Sequence, residues 1–302
     1  MSAEIGRSRF TILLPITRPP VFLPYAVDSV LAQSHADFEL FIVGDGAPAA
    51  TISWAKSAEE RDSRVRLFEF PKGARHGEAN RHAALAEATG TFVAHIADDD
   101  LWFPDFLTEM ALHLRAVDFG NLVQCYVDAN GKISSEPGDL ATPTTHARML
   151  NGRWNFFGLT VAGYRMSTYR TLTEGWFPAP AEVFTDLNMW RKFLSDRRVT
   201  SATRFAIQSL TFPAPPRAKW SVERRAREIG VFAERIRNPD ARRDIAAEGF
   251  RALTGAMRSE VIAEASAHIA ALQRERNLLK SSLDLIESRQ RRATGGLFPG
   301  TH

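Results

Sequence analysis

The chain of 302 residues contains only one cysteine, Cys125, and no long apolar run. A lone cysteine excludes an intramolecular disulfide and a cysteine-based metal cluster, which fits a reducing cytoplasm. The lack of a run of about 18 apolar residues excludes a membrane-spanning helix, and residues 1–9 are too polar for a signal peptide. We therefore expect a cytoplasmic protein, with peripheral contact at the inner membrane face as an open alternative.

Aromatic residues are scarce in the C-terminal part of the chain, which carries the basic excess. From Arg217 onward, 17 Lys/Arg face 11 Asp/Glu, a balance of +6, whereas the preceding part has 21 against 24, a balance of −3. A single-stranded nucleic-acid site interleaves aromatic rings with arginines. After Trp220 the only aromatic residues are Phe232, Phe250 and Phe298. We therefore expect no nucleic-acid partner.

The sequence does contain a regular alternation of apolar, strand-like runs and helical segments. An apolar content of 44% and an aromatic content of 10% support a large folded core. The predicted strands are 10–14, 38–43, 65–70 and 91–97, and helices are predicted between them over 23–33, 52–62 and 76–89. This alternation predicts an α/β fold with a mainly parallel sheet covered by helices.

The second half of the chain is less regular. Its patterns predict strands over 122–128 and 161–165, a helix over 185–194, and an irregular loop over 134–150. Residues 212–216 are rich in proline and are typical of a linker, and the chain beyond them is predicted to be helical. We therefore predict an α/β domain over 8–215 and an all-helical extension over 216–302.

Three consecutive aspartates, Asp98, Asp99 and Asp100, follow the fourth predicted strand. Like charges this close repel one another unless water solvates them in a turn or a cation holds them. In open α/β sheets, ligands bind at the carboxyl ends of the strands. The triplet is therefore either a site for a divalent metal that carries a phosphate or a solvated acidic turn before the helix that begins near Pro104.

The triplet is the last member of an ordered set of motifs. They are P-I-T-R-P-P at 15–20, D-S-V-L-A-Q at 28–33, V-G-D-G at 43–46, N-R at 80–81, A-E-A-T-G at 86–90, and the triplet with L-W-F-P at 101–104. This set resembles the family 2 glycosyltransferases. The resemblance covers residues 8–110 strongly and 155–195 more weakly, and it implies a Rossmann-like GT-A fold in the domain 8–215.

The resemblance implies an inverting transfer of a sugar from a nucleoside diphosphate, with UDP favoured, to a hydroxyl of a glycan, lipid-linked or protein acceptor. Such chemistry would belong to bacterial surface or secreted glycan synthesis. By the same resemblance, Asp45 accepts hydrogen bonds from the base, Pro15 and Thr17 line the nucleotide pocket, and Arg75 and Arg81 flank the diphosphate.

The resemblance also implies that the triplet binds Mn²⁺ or Mg²⁺ for the donor diphosphate. Many relatives carry a first aspartate where this chain has Ala97, so the register is open. Asp98 would contact the ribose or sugar, and either Asp99 or Asp100 would hold the metal. Gly44 and Ala47 also depart from the common pattern.

Asp186 is the candidate general base, because T-D-L-N-M-W-R at 185–191 matches the acidic segment of the family. Glu182 is the reserve candidate. The alternative is that Asp186 only stabilises the start of a helix through the dipole. Aromatic rings that could stack on an acceptor sugar are Trp154, Phe156 and Trp176.

A heptad pattern marks the tail within a coiled-coil-like segment over 258–290. The a and d positions are Ile262, Ala265, Ile269, Leu272, Arg276, Leu279, Leu283 and Ile286. This pattern predicts homo-oligomerisation, with Glu275 at g facing Lys280 at e of a parallel partner. Packing of this stripe on the catalytic domain and an interfacial membrane helix are the alternatives.

Two competing functions remain at this level. A sugar nucleotidyltransferase would need a glycine-rich phosphate loop after the first strand, and residues 15–20 contain no glycine. The second alternative is a catalytically degenerate transferase fold that acts as a binding or scaffold module through its basic tail, since Ala97 and Thr185 replace acidic residues of the family pattern.

Overall fold

The computed structural model describes the backbone of residues 8–294 and the side chains of residues 8–289. The strands are β1 (Phe10–Ile16), β2 (Phe38–Asp45), β3 (Val65–Phe70), β4 (Phe92–His95), β5 (Leu101–Trp102), β6 (Phe119–Leu122), β7 (Cys125–Val127), β8 (Ile133–Ser135), β9 (Ala162–Arg165), β10 (Ser201–Arg204) and β11 (Ser209–Leu210). The helices are α1 (Leu23–Leu31), α2 (Ala49–Arg61), α3 (Glu78–Leu85), α4 (Phe106–Leu114), α5 (Pro143–Asn151), α6 (Met166–Thr171), α7 (Thr185–Ser195), α8 (Val222–Arg235) and α9 (Pro239–Thr294).

A seven-stranded sheet forms the centre of the fold, in the order β10-β6-β9-β4-β1-β2-β3. The first four strands of the chain pair in parallel, as predicted, because each is joined to the next by a helical crossover. β9 lies antiparallel between β4 and β6. The residues of β2 are buried along its whole length, which is typical of a strand covered on both faces.

This topology brings three chain segments to one edge of the sheet. β1, β2 and β4 run in the same direction, so their carboxyl ends meet there. The residues that follow them are Arg18 after β1, Gly46 after β2 and the aspartate triplet after β4. The fold thus places the aspartate triplet at the edge where open α/β sheets bind ligands.

The middle of the chain is more ordered than the sequence indicated. The predicted strand 122–128 is two strands, since β6 joins the main sheet and β7 pairs with β8 in a separate two-stranded sheet. The predicted loop 134–150 contains α5, whose first residue is Pro143. Proline at this position suits a helix start because its fixed φ is helical and its missing N–H is not needed there.

Residues 212–216 do not form a linker. Phe212 is 2% exposed and Arg217 is 1% exposed. Arg217 donates to the Val127 and Asp128 carbonyls and pairs with Glu228 of α8. A buried arginine with this many partners fixes the segment to the body of the protein.

Within the described residues, the chain divides into two compact units, with the boundary between Leu253 and Thr254. The first unit contains α8 and the start of α9. A second apolar core explains this: Phe232 and Leu253 pack in the same buried cluster as Phe103 and Phe212. Apolar burial of this kind stabilises the attachment of α8.

The second unit consists of the remainder of α9 within the described residues. Its heptad positions are exposed by half or more at Ile262, Ile269, Leu272, Leu279, Leu283 and Ile286. Over residues 8–294, no helix combines the length and the apolar character that crossing a membrane requires.

Candidate active site

Asp98 forms a bidentate ion pair with Arg18, in which both carboxylate oxygens accept hydrogen bonds. Arg18 Nε donates to Oδ2 at 2.6 Å, and Nη2 donates to Oδ1 at 2.7 Å. Burial raises the pKa of Asp98 and the charge of Asp99 adds to this rise, whereas Arg18 opposes it. Burial lowers the pKa of Arg18, but the bonds and charges of the two aspartates outweigh it and raise the pKa. Asp98 is therefore engaged by protein at both oxygens.

Asp99 has one engaged oxygen and one open oxygen. Its Oδ2 lies 2.9 Å from Arg18 Nη2 and 2.8 Å from Nη2 of Arg225, a residue of α8. Its Oδ1 has no hydrogen-bond donor among the described residues. The Asp99 side chain is 15% exposed, so this oxygen belongs to a carboxylate that solvent reaches.

Asp100 is buried, at 6% exposure, and both of its oxygens accept hydrogen bonds from protein. The Thr160 hydroxyl donates to Oδ2, and the Phe212 backbone N–H donates to Oδ1 at 3.1 Å. Burial, and then the charge of Asp99, raises the pKa of Asp100 well above its usual value. Each oxygen of Asp100 thus already accepts one hydrogen bond from protein, and its role as a metal ligand stays a prediction.

Thr160 holds the acidic turn from the opposite side. Its Oγ1 accepts the Ala97 N–H at 3.1 Å, and its carbonyl accepts the Trp102 indole N–H at 2.8 Å. Thr160 lies just before β9, the antiparallel strand beside β4. The second half of the chain therefore sets the shape of the turn.

Asp45 anchors a loop at the end of β2. Its Oδ1 accepts the Gly73 N–H at 2.6 Å and the Asn80 side-chain amide at 2.8 Å, and its Oδ2 pairs with Lys72 Nζ. Asp45 is 1% exposed. A nucleotide base that donates to Asp45, as predicted, would share the carboxylate with these three donors.

Gly77 allows the close approach of this loop to Asp45. Its φ is +72°, and a Cβ at this position would lie 2.5 Å from Asp45 Oδ2. A residue with a side chain would therefore be strained and would also clash. At the end of β1, Pro15 is half-buried and Thr17 is exposed. Both lie at the carboxyl end of β1, the strand that pairs with β4.

A cavity of about 430 Å³ contains the candidate base. Asp186 lies in the first turn of α7, and its carboxylate accepts the backbone N–H of Leu159. Burial raises the pKa of Asp186 to about 6, although the positive charge of Arg81 opposes the rise. The side chains of Arg75 and Arg153 line the same cavity.

Arg81 also lines this cavity, and two of its nitrogen atoms have no hydrogen-bond partner among the described residues. It is 4% exposed, and its Nη2 donates to the His76 carbonyl at 2.9 Å. Its Nε and Nη1 are buried and have no partner among the described residues. The guanidinium lies over the Trp176 ring at 4.9 Å. Burial lowers the pKa of Arg81, while the charge of Asp186 opposes this shift.

The remaining predicted residues are placed differently. Glu182 is exposed and does not line the cavity. Phe156 and Trp176 are each 2% exposed and lie in the main core, so an acceptor sugar has no access to their faces. Trp154 is half-buried, with Phe156 stacked at 5.5 Å and the Arg148 guanidinium at 3.8 Å from its ring.

Sequence reasoning missed Arg18, Thr160 and Arg225, whose side chains bind the triplet. Arg18 had a detectable signal, since it stands in P-I-T-R-P-P directly after β1. Thr160 and Arg225 are 60 and 126 residues from their aspartate partners. No local pattern marks such long-range contacts.

Comparison with known proteins agrees with this architecture. The sequence profile described as "Glycosyl transferase family 2" matches residues 11–172, more than half of the chain. The "Putative glycosyltransferase EpsE" of Bacillus subtilis is 26% identical over 187 residues, which cover 58% of this chain and 62% of the relative. The "UDP-Glc:alpha-D-GlcNAc-diphosphoundecaprenol beta-1,3-glucosyltransferase WfgD" of Escherichia coli is 32% identical over 99 residues, which cover 32% of this chain and 37% of the relative.

The chain spans less than two thirds of the length of the curated relatives it matches, 62% of EpsE and 18% of an uncharacterized glycosyltransferase of Rickettsia felis. Among solved structures, TarS of S. aureus is similar with a TM-score of 0.52 and 16% identity, over 68% of this chain and 37% of TarS. This likeness, together with the sheet order, confirms the predicted GT-A fold. With the matched profile covering β1 through α6, the chain belongs to glycosyl transferase family 2.

Proposed function

We propose that this protein is an inverting glycosyltransferase that moves a sugar from a nucleoside diphosphate to an acceptor hydroxyl. The observation that carries the proposal is the cavity that joins Asp186 to the unpaired N–H groups of Arg81. A partly buried carboxylate whose pKa is raised to about 6, beside a desolvated cation, suits proton transfer next to an anionic ligand.

Asp186 acts as the general base in this proposal. Its ionised carboxylate takes the proton of the acceptor hydroxyl while the hydroxyl oxygen attacks the anomeric carbon. The bond from that carbon to the β-phosphate oxygen breaks, and the nucleoside diphosphate leaves. Arg81 keeps Asp186 ionised by its charge and offers its unpaired donors to the anionic donor substrate.

Asp99 is the residue best suited to hold Mn²⁺ or Mg²⁺. These ions bind through one or two carboxylates and complete their shell with substrate phosphates and water. Asp99 offers one open oxygen, whereas Asp98 and Asp100 are engaged. Across residues 8–289, no three His, Cys, Asp or Glu side chains form a ready metal cluster. A divalent ion at Asp99 would balance the charge on the leaving diphosphate.

The names of similar proteins support a UDP-type donor and a lipid-linked acceptor. The name of WfgD includes UDP-Glc and a diphosphoundecaprenol-linked sugar, and one TarS structure is a complex with UDP-GlcNAc. We therefore place this protein in bacterial surface or secreted glycan synthesis, on the cytoplasmic side and in peripheral contact with the membrane that holds its acceptor. The alternative, a catalytically degenerate scaffold, was suggested in part by Thr185 in place of an acidic residue. The Thr185 hydroxyl donates to Glu78 at 3.0 Å and so has a structural role, which does not support that alternative.

A thermal-shift screen with UDP-, GDP-, CDP- and dTDP-sugars, with and without Mn²⁺, tests the proposal. A ligand that binds only the folded state raises the melting temperature. We expect a UDP-sugar with Mn²⁺ to give the largest increase. A screen in which no nucleotide sugar shifts the melting temperature, with or without the ion, would contradict the proposal.

A further inference from the structure

Arg225 is the residue through which α8 reaches the acidic turn. Its Nη2 donates to Asp99 Oδ2 at 2.8 Å. Arg18 Nη2 lies 2.9 Å from the same oxygen. Two guanidinium groups therefore converge on one carboxylate oxygen, and one of them comes from outside residues 11–172, the segment that the family profile matches.

The two arginines are held in place by more than this carboxylate. The Arg225 guanidinium lies 4.8 Å from the centre of the Phe22 ring, and the Arg18 guanidinium lies 4.9 Å from the same centre. The Arg225 side chain is only 13% exposed. Stacking on an aromatic face and partial burial restrict its rotamers, so its donors keep a fixed direction.

Most of the hydrogen-bonding capacity of Arg225 is unused. Its Nε is buried and has no partner among the described residues. Buried donors without partners are rare in native proteins and point to a missing ligand or water. A guanidinium can bind a carboxylate with one N–H and a phosphate with the others, because its donors form a planar fork.

We propose that Arg225 is a ligand of the diphosphate of the sugar donor, contributed by α8. The inference rests on the proposed function because it takes a nucleoside diphosphate as the ligand. Asp99 orients the guanidinium, and the phosphate oxygens accept its remaining N–H groups. Arg225 then contributes positive charge beside the open oxygen of Asp99, at the carboxyl end of β4.

A competing account makes Arg225 only the counter-ion of Asp99. In that case, removal of Arg225 would leave diphosphate affinity unchanged. It would strengthen the binding of Mn²⁺, because the positive charge of the guanidinium no longer repels the ion. The two accounts therefore predict different diphosphate affinities for a variant that lacks Arg225: weaker if Arg225 is a ligand, unchanged if it is only a counter-ion.

Isothermal titration calorimetry on the full chain separates them, with UDP, uridine and inorganic pyrophosphate as probes. The variants are R225M and, as matched control, R224M. Arg224 is exposed on the same helix and stacks on Trp220 at 3.7 Å. We expect R225M to weaken UDP and pyrophosphate binding by about 10- to 100-fold, the usual range for a charge-assisted hydrogen bond. Uridine binding and all binding by R224M should stay at the wild-type level.

Because R225M breaks a half-buried ion pair, a melting curve must show that it folds. R225Q keeps a polar head at this position and is the second variant, with the same expected loss. Unchanged affinity of a folded R225M or R225Q for pyrophosphate and UDP would overturn the inference, and tighter Mn²⁺ binding alone would assign the counter-ion role.

The probes also keep this inference distinct from the proposed function. If the wild type binds pyrophosphate through Arg225 but binds no nucleoside diphosphate, the proposed function fails and the diphosphate site stands. If UDP binds equally well to wild type and R225M, the function stands and the role of Arg225 is refuted. Absence of binding for both UDP and pyrophosphate in the wild type refutes both.

Discussion

Asp100 accepts the backbone N–H of Phe212 at 3.1 Å, across 112 residues of sequence. Phe212 lies in the second apolar core, which contains α8 residues, so this hydrogen bond joins the acidic turn to the segment before α8. The carboxylate in the middle of the turn faces the site, and its neighbour in sequence holds the turn to the protein. In our proposal Asp99 therefore binds the ligand, whereas Asp100 has a structural role.

Asp100→Ala tests this division. We expect it to lower the free energy of unfolding by about 1–3 kcal/mol for each donor it leaves unpaired, the Thr160 hydroxyl and the Phe212 N–H. Urea denaturation measures the loss. Thr160→Val should cost a similar amount, because it leaves both Asp100 Oδ2 and the Ala97 N–H without their partner. A stable Asp100→Ala protein that has lost only its metal-dependent nucleotide binding would return Asp100 to the list of metal ligands.

The pH dependence of turnover tests Asp186. The base is the ionised form, which dominates above its pKa of about 6. We therefore expect kcat/KM to fall about tenfold per pH unit below this value. Asp186→Asn should lose about 100-fold or more in turnover and should still bind the donor. Glu182→Gln is the matched control, because Glu182 is exposed outside the cavity, and it should keep the wild-type profile.

The same pKa predicts a change in stability. Unfolded Asp186 releases its proton near its ordinary value of 3.8, whereas the folded protein holds it to about 6. Folded protein binds more protons between these values, so this group makes the free energy of unfolding decrease as pH rises through that window. Asp186→Asn should remove this contribution in urea denaturation at pH 4 to 6, and an unchanged slope would contradict the assigned pKa.

Gly77→Ala tests the loop that Asp45 anchors. Gly77 combines a positive φ with a clash against Asp45, whereas Gly131 has φ of +80° and open space around it. An alanine in this conformation costs about 1–2 kcal/mol from backbone strain alone. We expect Gly131→Ala to show only this cost, and Gly77→Ala to lose more stability and to weaken nucleotide binding. Equal melting temperatures for the two variants would show that the loop moves away freely.

The exposed heptad of α9 supports our proposal that the chain forms homo-oligomers. Leu279 occupies a d position and Leu278 the adjacent c position, and they are 61% and 70% exposed. A charge at d destabilises a coiled-coil seam, whereas a charge at c faces solvent. Multi-angle light scattering should show an oligomer for wild type and Leu278→Glu and a monomer for Leu279→Glu. The same mass for all three proteins would exclude this seam.

The sequence was sufficient to predict features that depend on local pattern. The four parallel strands follow from apolar runs separated by helical segments, and the position of Asp99 follows from the end of such a run. Asp186 could be placed in the first turn of α7 from its motif. The contacts of Thr160 and Arg225 could not be predicted, because they depend on how β9 and α8 pack against the sheet. The burial of Phe156 and Trp176 was also missed. An aromatic residue looks the same in the sequence whether its ring packs in a core or stacks on a sugar.

Thr160 makes the geometry of the acidic turn adjustable from outside the turn itself. It bonds Ala97 on one side and Asp100 on the other, 60 residues away, and its carbonyl holds Trp102. A change from threonine to serine or valine there would alter the spacing of the carboxylates while leaving every charge in place. If Asp99 holds the divalent ion as we propose, a substitution at this neutral position would change the surroundings of the ion without replacing its carboxylate ligand.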